Sequence, residues 1–216
     1  LQEAKLYIVI VDAFPAREEG QKLLSTLPKL LQHEIERYKT PGDFHRSLLS
    51  KLVLQRALED IGLQREFSQI QKTELGKYFI PGSIDFSISH TSNKVIVAVA
   101  DNIKLGVDVE LKSKGSLLLA ERFFCEEEVE WLKAQNDLQE AFTYIWTRKE
   151  ALVKAAGTGI RMPLKSFNVL PENIGFNNEN WFLQSNLHKN TTDILTLASS
   201  QKTKVKILEI SSSSVS

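Results

Sequence analysis

The apolar positions of this chain change period several times, and each change marks an element. Leu6-Tyr7-Ile8-Val9-Ile10-Val11 is a short β-branched run that reads as a buried strand ending before Pro15. Glu18 to Tyr38 follows a helical rhythm, with an interruption expected at Pro28. Thr40-Pro41-Gly42-Asp43 is a turn in which Asp43 can cap the next helix. In that helix Leu48, Leu49, Leu52, Val53, Arg56, Ala57 and Ile61 form one stripe that stops at Gly62. Strand-like runs follow at Ile84 to His90, Val95 to Ala100 and Leu105 to Glu110. Thr91-Ser92-Asn93-Lys94 makes the hairpin turn between the first two, and Asp101-Asn102 turns into the third.

The second half repeats this order. Leu117 to Ala134 and Gln139 to Ala156 read as helices, and Phe167 to Leu170, Trp181 to Gln184, Asp193 to Ala198 and Lys204 to Ile210 read as strands. Helices segregated from antiparallel strands predict an α+β class. The repeated order predicts two similar α/β halves in a pseudo-two-fold arrangement, each with helices packed on a small, mainly antiparallel sheet. The halves are expected at 1–112 and 113–210, joined near Lys112-Ser113-Lys114-Gly115, with 211–216 a frayed polar tail. A site made from the end of one half and a helix of the other would lie in the cleft between them.

Composition narrows the function classes. The chain has 216 residues, 42% hydrophobic and 25% charged, an ordinary globular balance. Lys+Arg and Asp+Glu both number 27, so no global field draws the protein to nucleic acid or an anionic membrane, and a polyanionic ligand needs a local basic patch. Cys125 is the only cysteine, which excludes an intramolecular disulfide and makes the cytoplasm the expected compartment. The apolar run at Leu6–Val11 is too short for a membrane span or a signal-peptide core. The chain opens on Leu1, so a processed or trimmed N-terminus is expected.

Candidate chemistry concentrates in two segments. In Gly106-Val107-Asp108-Val109-Glu110, strand alternation sends Asp108 and Glu110 to one face and the two valines to the other. Paired buried carboxylates repel each other and lose water, a cost that an oxygen-seeking cation such as Mg²⁺ offsets. The pair alone also fits a strand end whose acids face solvent. In Trp146-Thr147-Arg148-Lys149-Glu150-Ala151-Leu152-Val153-Lys154-Ala155-Ala156-Gly157, Glu150 and Lys154 are i,i+4 partners, and Gly157 supplies the helix stop. Such a pair is often a solvated face, but apolar neighbours on every side place this glutamate where it needs a partner.

These two motifs, in this order and at this separation, resemble the signature of the 4′-phosphopantetheinyl transferases. The length and two-half pattern are similar to the Sfp-type branch, whose members are pseudo-dimers in one chain. The resemblance runs from about Arg37 to Leu170. It implies transfer of phosphopantetheine from coenzyme A to a serine of an apo acyl or peptidyl carrier protein, with adenosine 3′,5′-bisphosphate as the other product. It further implies a monomer that acts with no nucleic acid or membrane partner.

By motif matching, Asp108, Glu110 and Glu150 would ligate Mg²⁺. Lys154 would steady the coenzyme A pyrophosphate or protonate the leaving group, and Lys149 would be a second phosphate or proton-transfer residue. Ser89 and His90, closing Phe86-Ser87-Ile88-Ser89-His90-Thr91, would contact coenzyme A phosphates, His90 the 3′-phosphate. Arg46 matches a basic position that opens the family's long helix, though a solvated arginine also fits. Lys77 matches a Gly-Lys-Pro loop in which Tyr78 here replaces the proline. In Arg122-Phe123-Phe124-Cys125-Glu126-Glu127-Glu128, Glu128 aligns with a glutamate that would activate the serine, and the triple acid also fits a helix N-terminus. Cys125 reads as packing. The family's two N-terminal lysines are absent, with Leu30 and His33 near their places, while Lys29, His33 and Arg37 share one helical face.

The alternative from another class is a non-catalytic coenzyme A or carrier-protein binding module, and three carboxylates ordered around a cation argue against it. An unrelated Mg²⁺ phosphotransferase or nuclease gains no support, since there is no GxxxxGK[ST] loop and no basic excess.

Overall fold

The computed structural model describes residues 1–11, 17–82, 84–112, 115–159, 162–188 and 192–212. The expected strand stop at Pro15, Ser113 and Lys114 of the expected junction, and Ser213–Ser216 of the expected tail lie outside them.

The chain is α+β. Strand β1 (Gln2–Ile10) is followed by helices α1 (Arg17–Leu24), α2 (Lys29–Glu36) and α3 (Pro41–Glu59). The short strands β2 (Gln71–Lys72) and β3 (Tyr78–Phe79) precede β4 (Asp85–His90), β5 (Lys94–Ala100) and β6 (Leu105–Leu111). Helices α4 (Leu117–Phe123), α5 (Glu126–Lys133) and α6 (Leu138–Ala156) come next, then β7 (Asn173–Phe176), β8 (Glu179–Gln184), β9 (Asp193–Ser199) and β10 (Thr203–Ile210). Among the described residues no helix is long and apolar enough to cross a membrane.

Several local expectations need correction. The run expected as one helix over 117–134 breaks at Phe124-Cys125, where the backbone turns extended and Cys125 opens α5. Thr40, not Asp43, caps α3, its hydroxyl accepting from the Asp43 amide at 3.1 Å. Residues 167–170 form no strand, because their carbonyls are claimed by side chains of α6. The interruption at Pro28 is present, with Pro28 at the N-cap of α2.

Two four-stranded sheets carry the fold, in the orders β10-β1-β5-β4 and β6-β9-β8-β7. All neighbours are antiparallel except β1 and β10. Helix α3 packs against the first sheet and α6 against the second. Alternation along β1 divides its side chains: Tyr7 and Val9 join the helix-side core, while Leu6 and Ile8 join a core with Val107, Val109, Leu195 and Leu197 between the sheets. The expected divide at 112 does not match sheet membership. Strand β6, from the first half, pairs with β9, and β10, from the second, crosses to β1. Strand order in sequence cannot reveal that exchange, because β4, β5 and β6 read as a simple meander.

Candidate active site

Gly106 decides how closely β6 approaches α6. A Cβ there would lie 2.1 Å from the Ala151 carbonyl oxygen and 2.3 Å from the Ala155 nitrogen, so only glycine lets the helix backbone rest on the strand. This contact brings the acids of β6 to the acid and lysine of α6. Asp108, Glu110, Glu150 and Lys154 all line one cleft of about 890 Å³, whose other walls include Ser50, Lys51, Tyr78, Ser89 and His90.

The cleft opens where the two sheets meet edge to edge. Strands β4 and β6 are joined there by side chains: Asp85 Oδ2 accepts from the Leu105 amide at 2.8 Å, Ser87 Oγ from Val107 at 3.0 Å and Ser89 Oγ from Val109 at 3.3 Å. Residues 85, 87 and 89 share a face of β4, so a period-two polar row satisfies amides that a neighbouring strand would otherwise take. The strands are thereby held a side chain apart. Two lysines cross the seam. Lys77 Nζ donates to Asp85 Oδ2 at 2.8 Å and to the Leu105 and Ala155 carbonyls at 3.4 Å. Lys154 Nζ donates to Asp108 Oδ1 at 2.7 Å, Ser89 Oγ at 3.1 Å and the Val107 carbonyl at 3.3 Å. Ser89 in turn donates to Asp108 Oδ1 at 2.8 Å.

The three acids share one field. Burial pushes the Glu110 carboxyl up to about 7, with Asp108 and Glu150 adding to the rise and Lys154 opposing it. Burial also raises Glu150, followed by repulsion from Asp108, again against Lys154. Asp108 Oδ2 is buried and makes no hydrogen bond among the described residues. Among those residues no three His, Cys, Asp or Glu side chains are already gathered at metal-holding positions. The donor set nevertheless fits a hard divalent cation: it is all oxygen, its members repel one another, and one buried oxygen is left without a partner.

The expected phosphate-facing residues divide. Ser89, His90 and Lys77 line the cleft. Desolvation, then Lys154, Lys51 and Arg46, hold the His90 imidazole below its usual range, which marks this end as electropositive. Arg46 itself is held by Asp43 at 2.5 Å and stands beside the lining residues rather than among them. Lys29, His33 and Arg37 do not line the cleft either.

Glu128 and Lys149 are not brought to the cleft. Both are fully buried and pair at 2.8 Å. Glu128 also accepts from the Cys125 amide at 3.0 Å and the Val169 amide at 2.8 Å, and Lys149 donates to the Leu164 and Phe167 carbonyls at 2.8 Å each. All three ammonium protons are used, so the pair clamps α5 and α6 to the 164–169 segment. Arg148 does the same one residue earlier, reaching the carbonyls of Val169, Leu170 and Pro171. Helical geometry explains the split: Glu150 and Lys154 share a face, and Lys149 points elsewhere. Burial pushes the Cys125 thiol up to about 11.

Lys51 was not singled out from the sequence, although it lines the cleft and is 7% exposed. Its signal is a polar stripe in α3, Ser47, Ser50 and Lys51, buried at helical spacing beside the apolar one.

Residues 104–203, from the start of β6 through β9, match the family described as the 4′-phosphopantetheinyl transferase superfamily. The 4′-phosphopantetheinyl transferase ffp of Bacillus subtilis is 32% identical over 170 residues, covering 76% of this chain and 75% of that one. The Sfp transferase of Bacillus subtilis strain 168 is 30% identical with the same coverage. The gsp transferase of Aneurinibacillus migulanus is 37% identical over 148 residues, and the match spans 67% of this chain but only 62% of that protein. The chain therefore belongs to the 4′-phosphopantetheinyl transferases, in their Sfp-type branch, and is an enzyme of that transferase class.

Proposed function

We propose that this protein transfers the 4′-phosphopantetheine group of coenzyme A to a serine hydroxyl of an apo acyl or peptidyl carrier protein in a Mg²⁺-dependent reaction. The observation that carries the reading is the set of Asp108, Glu110 and Glu150 carboxylates on one cleft wall, with Lys154 among them and one Asp108 oxygen buried without a partner. Asp108, Glu110 and Glu150 would hold the cation. When bound, Mg²⁺ would neutralise charge on the diphosphate.

The residues of the chain supply the remainder. Lys154 exchanges its bonds to Asp108 and Ser89 for diphosphate oxygens, and its ammonium supports the adenosine bisphosphate as it departs. His90, with Arg46 nearby, faces the remaining phosphate. Lys77 holds the β4–β6 seam through Asp85 and so fixes cleft width, a positioning role. The carrier supplies the nucleophilic serine: its oxygen bonds to the β-phosphorus of coenzyme A as the bond from that phosphorus to the adenosine bisphosphate oxygen breaks, and the serine proton leaves to solvent water. Glu128 and Lys149 are a structural clamp in this reading and take no part in proton transfer. On this reading the chain is a pseudo-dimer in one polypeptide and works as a cytoplasmic monomer.

Incubation with a panel of apo carrier proteins, coenzyme A and Mg²⁺, followed by intact mass measurement, tests the reading. A phosphopantetheine mass gain that requires Mg²⁺ is expected. Coenzyme A binding with no mass gain on any carrier would instead indicate a binding module.

A further inference from the structure

Lys51 belongs to none of the motifs that carry the resemblance, yet it is the most enclosed lysine of the cleft lining. It projects from α3, is 7% exposed, and donates to its neighbour Ser50 Oγ at 3.2 Å. Its ammonium lies 4.8 Å from the centroid of the Tyr78 ring. Among the described residues no carboxylate forms an ion pair with it. The carboxylate whose field it feels, Glu34, is already engaged by Lys72 at 2.7 Å and by the Tyr78 hydroxyl. Lys72 lies at the same 4.8 Å from the ring centroid and adds a second positive charge.

A buried ammonium without an anion is costly, and proteins leave one in a cleft where a ligand will complete it. Its surroundings say what kind of ligand. Lys51, His90 and Lys154 line the same cleft, and the charges of Lys51, Lys154 and Arg46 all bear on His90. Lys154 sits at the acid end, on Asp108, while Lys51 sits across the cleft on α3 with Ser47 and Ser50 beside it. The ligand therefore carries a second anionic group apart from the one that Lys154 and the acids address.

We propose that Lys51 is a specificity-determining residue that, with His90 and Arg46, holds a phosphomonoester dianion of the nucleotide substrate. The proposal rests on the coenzyme A reading above, in which that group is the 3′-phosphate. Ser50 orients the ammonium, and the Tyr78 ring, fixed through its hydroxyl by Glu34, screens it from water.

The test compares coenzyme A with dephospho-coenzyme A, which differs only by this phosphate, in wild type, Lys51→Met and Lys51→Arg. Methionine keeps the buried stem and removes the charge. The preference in kcat/KM for coenzyme A is expected to fall about tenfold in Lys51→Met and to recover in part in Lys51→Arg, as loss of one charge-assisted contact requires. An unchanged preference in folded Lys51→Met overturns the proposal, as does an equal loss on both substrates. Calorimetry with adenosine 3′,5′-bisphosphate and 5′-AMP reads the same preference without turnover. It decides the matter if no transfer is seen or if Lys51→Met is poorly folded and only Lys51→Arg can be compared. A wild type with no preference between the two nucleotides overturns the proposal. A wild type that binds neither removes the coenzyme A reading as well.

Discussion

Helix α6 carries two lysine–carboxylate pairs, and they differ in completeness. Lys149 and Glu128 are both fully buried, and each finds backbone partners beyond the other. Lys154 and Asp108 are similarly close, but Lys154 is 32% exposed and Asp108 keeps an oxygen without a partner. The first pair is closed and holds the fold. The second is open, and what it lacks is what a cation and an anionic substrate would bring. Lysine next to glutamate in the sequence says nothing of this difference; the rotation of the helix against β6 and the 164–169 segment decides it.

The comparison can be broken most forcefully at the closed pair. Lys149→Ala leaves Glu128 buried and uncompensated and is expected to cost about 3–5 kcal/mol by denaturant unfolding. A Lys149 variant of normal stability but poor turnover would return that residue to the chemistry. Gly106→Ala is next. Its Cβ must push α6 off β6, so a loss of about 2–3 kcal/mol is expected, with weaker Mg²⁺ binding because the acids separate. Lys154→Ala sharpens the contrast from the open side. Its turnover should fall about 10²–10³-fold while unfolding stability stays within about 1 kcal/mol of wild type.

A further contrast is the pH response of Lys51. Burial, then Lys72, push its ammonium down to about 8 from 10.5, with Glu34 opposing. Its folded value lies below its unfolded one, so between the two the unfolded chain holds more protons. Ligand-free stability therefore gains from this group as pH rises through that window. Unfolding of wild type and Lys51→Met at about pH 7 and about pH 10 should show the advantage of the methionine variant shrinking at the higher pH. A constant difference would mean that Lys51 does not titrate there.

Much of the site was legible because it follows short-range rules. Alternation in a strand placed Asp108 and Glu110 together, the i,i+4 rule joined Glu150 to Lys154, and Gly157 ends α6 in the left-handed conformation its position implied. What was not legible depends on contacts across the chain. The exchange of β6 and β10 between sheets follows from burial of Val107, Val109, Leu6 and Ile8 in one inter-sheet core, which no local pattern encodes. Glu128 matched a motif but is drawn inward by the Val169 amide and Lys149, both distant in sequence. Lys51 escaped notice because a lysine between a serine and a leucine looks solvated until α3 is seen against the cleft.

The most direct measurement is divalent-cation binding by calorimetry in the presence of coenzyme A, in wild type, Asp108→Ala, Glu150→Ala and the double variant. If β6 and α6 serve a common ion, wild type binds one equivalent, each single variant loses it, and the double variant loses no more than either. Wild-type cation affinity in Glu150→Ala would contradict this, because the acid of α6 would then stand outside the site that Asp108 helps to form.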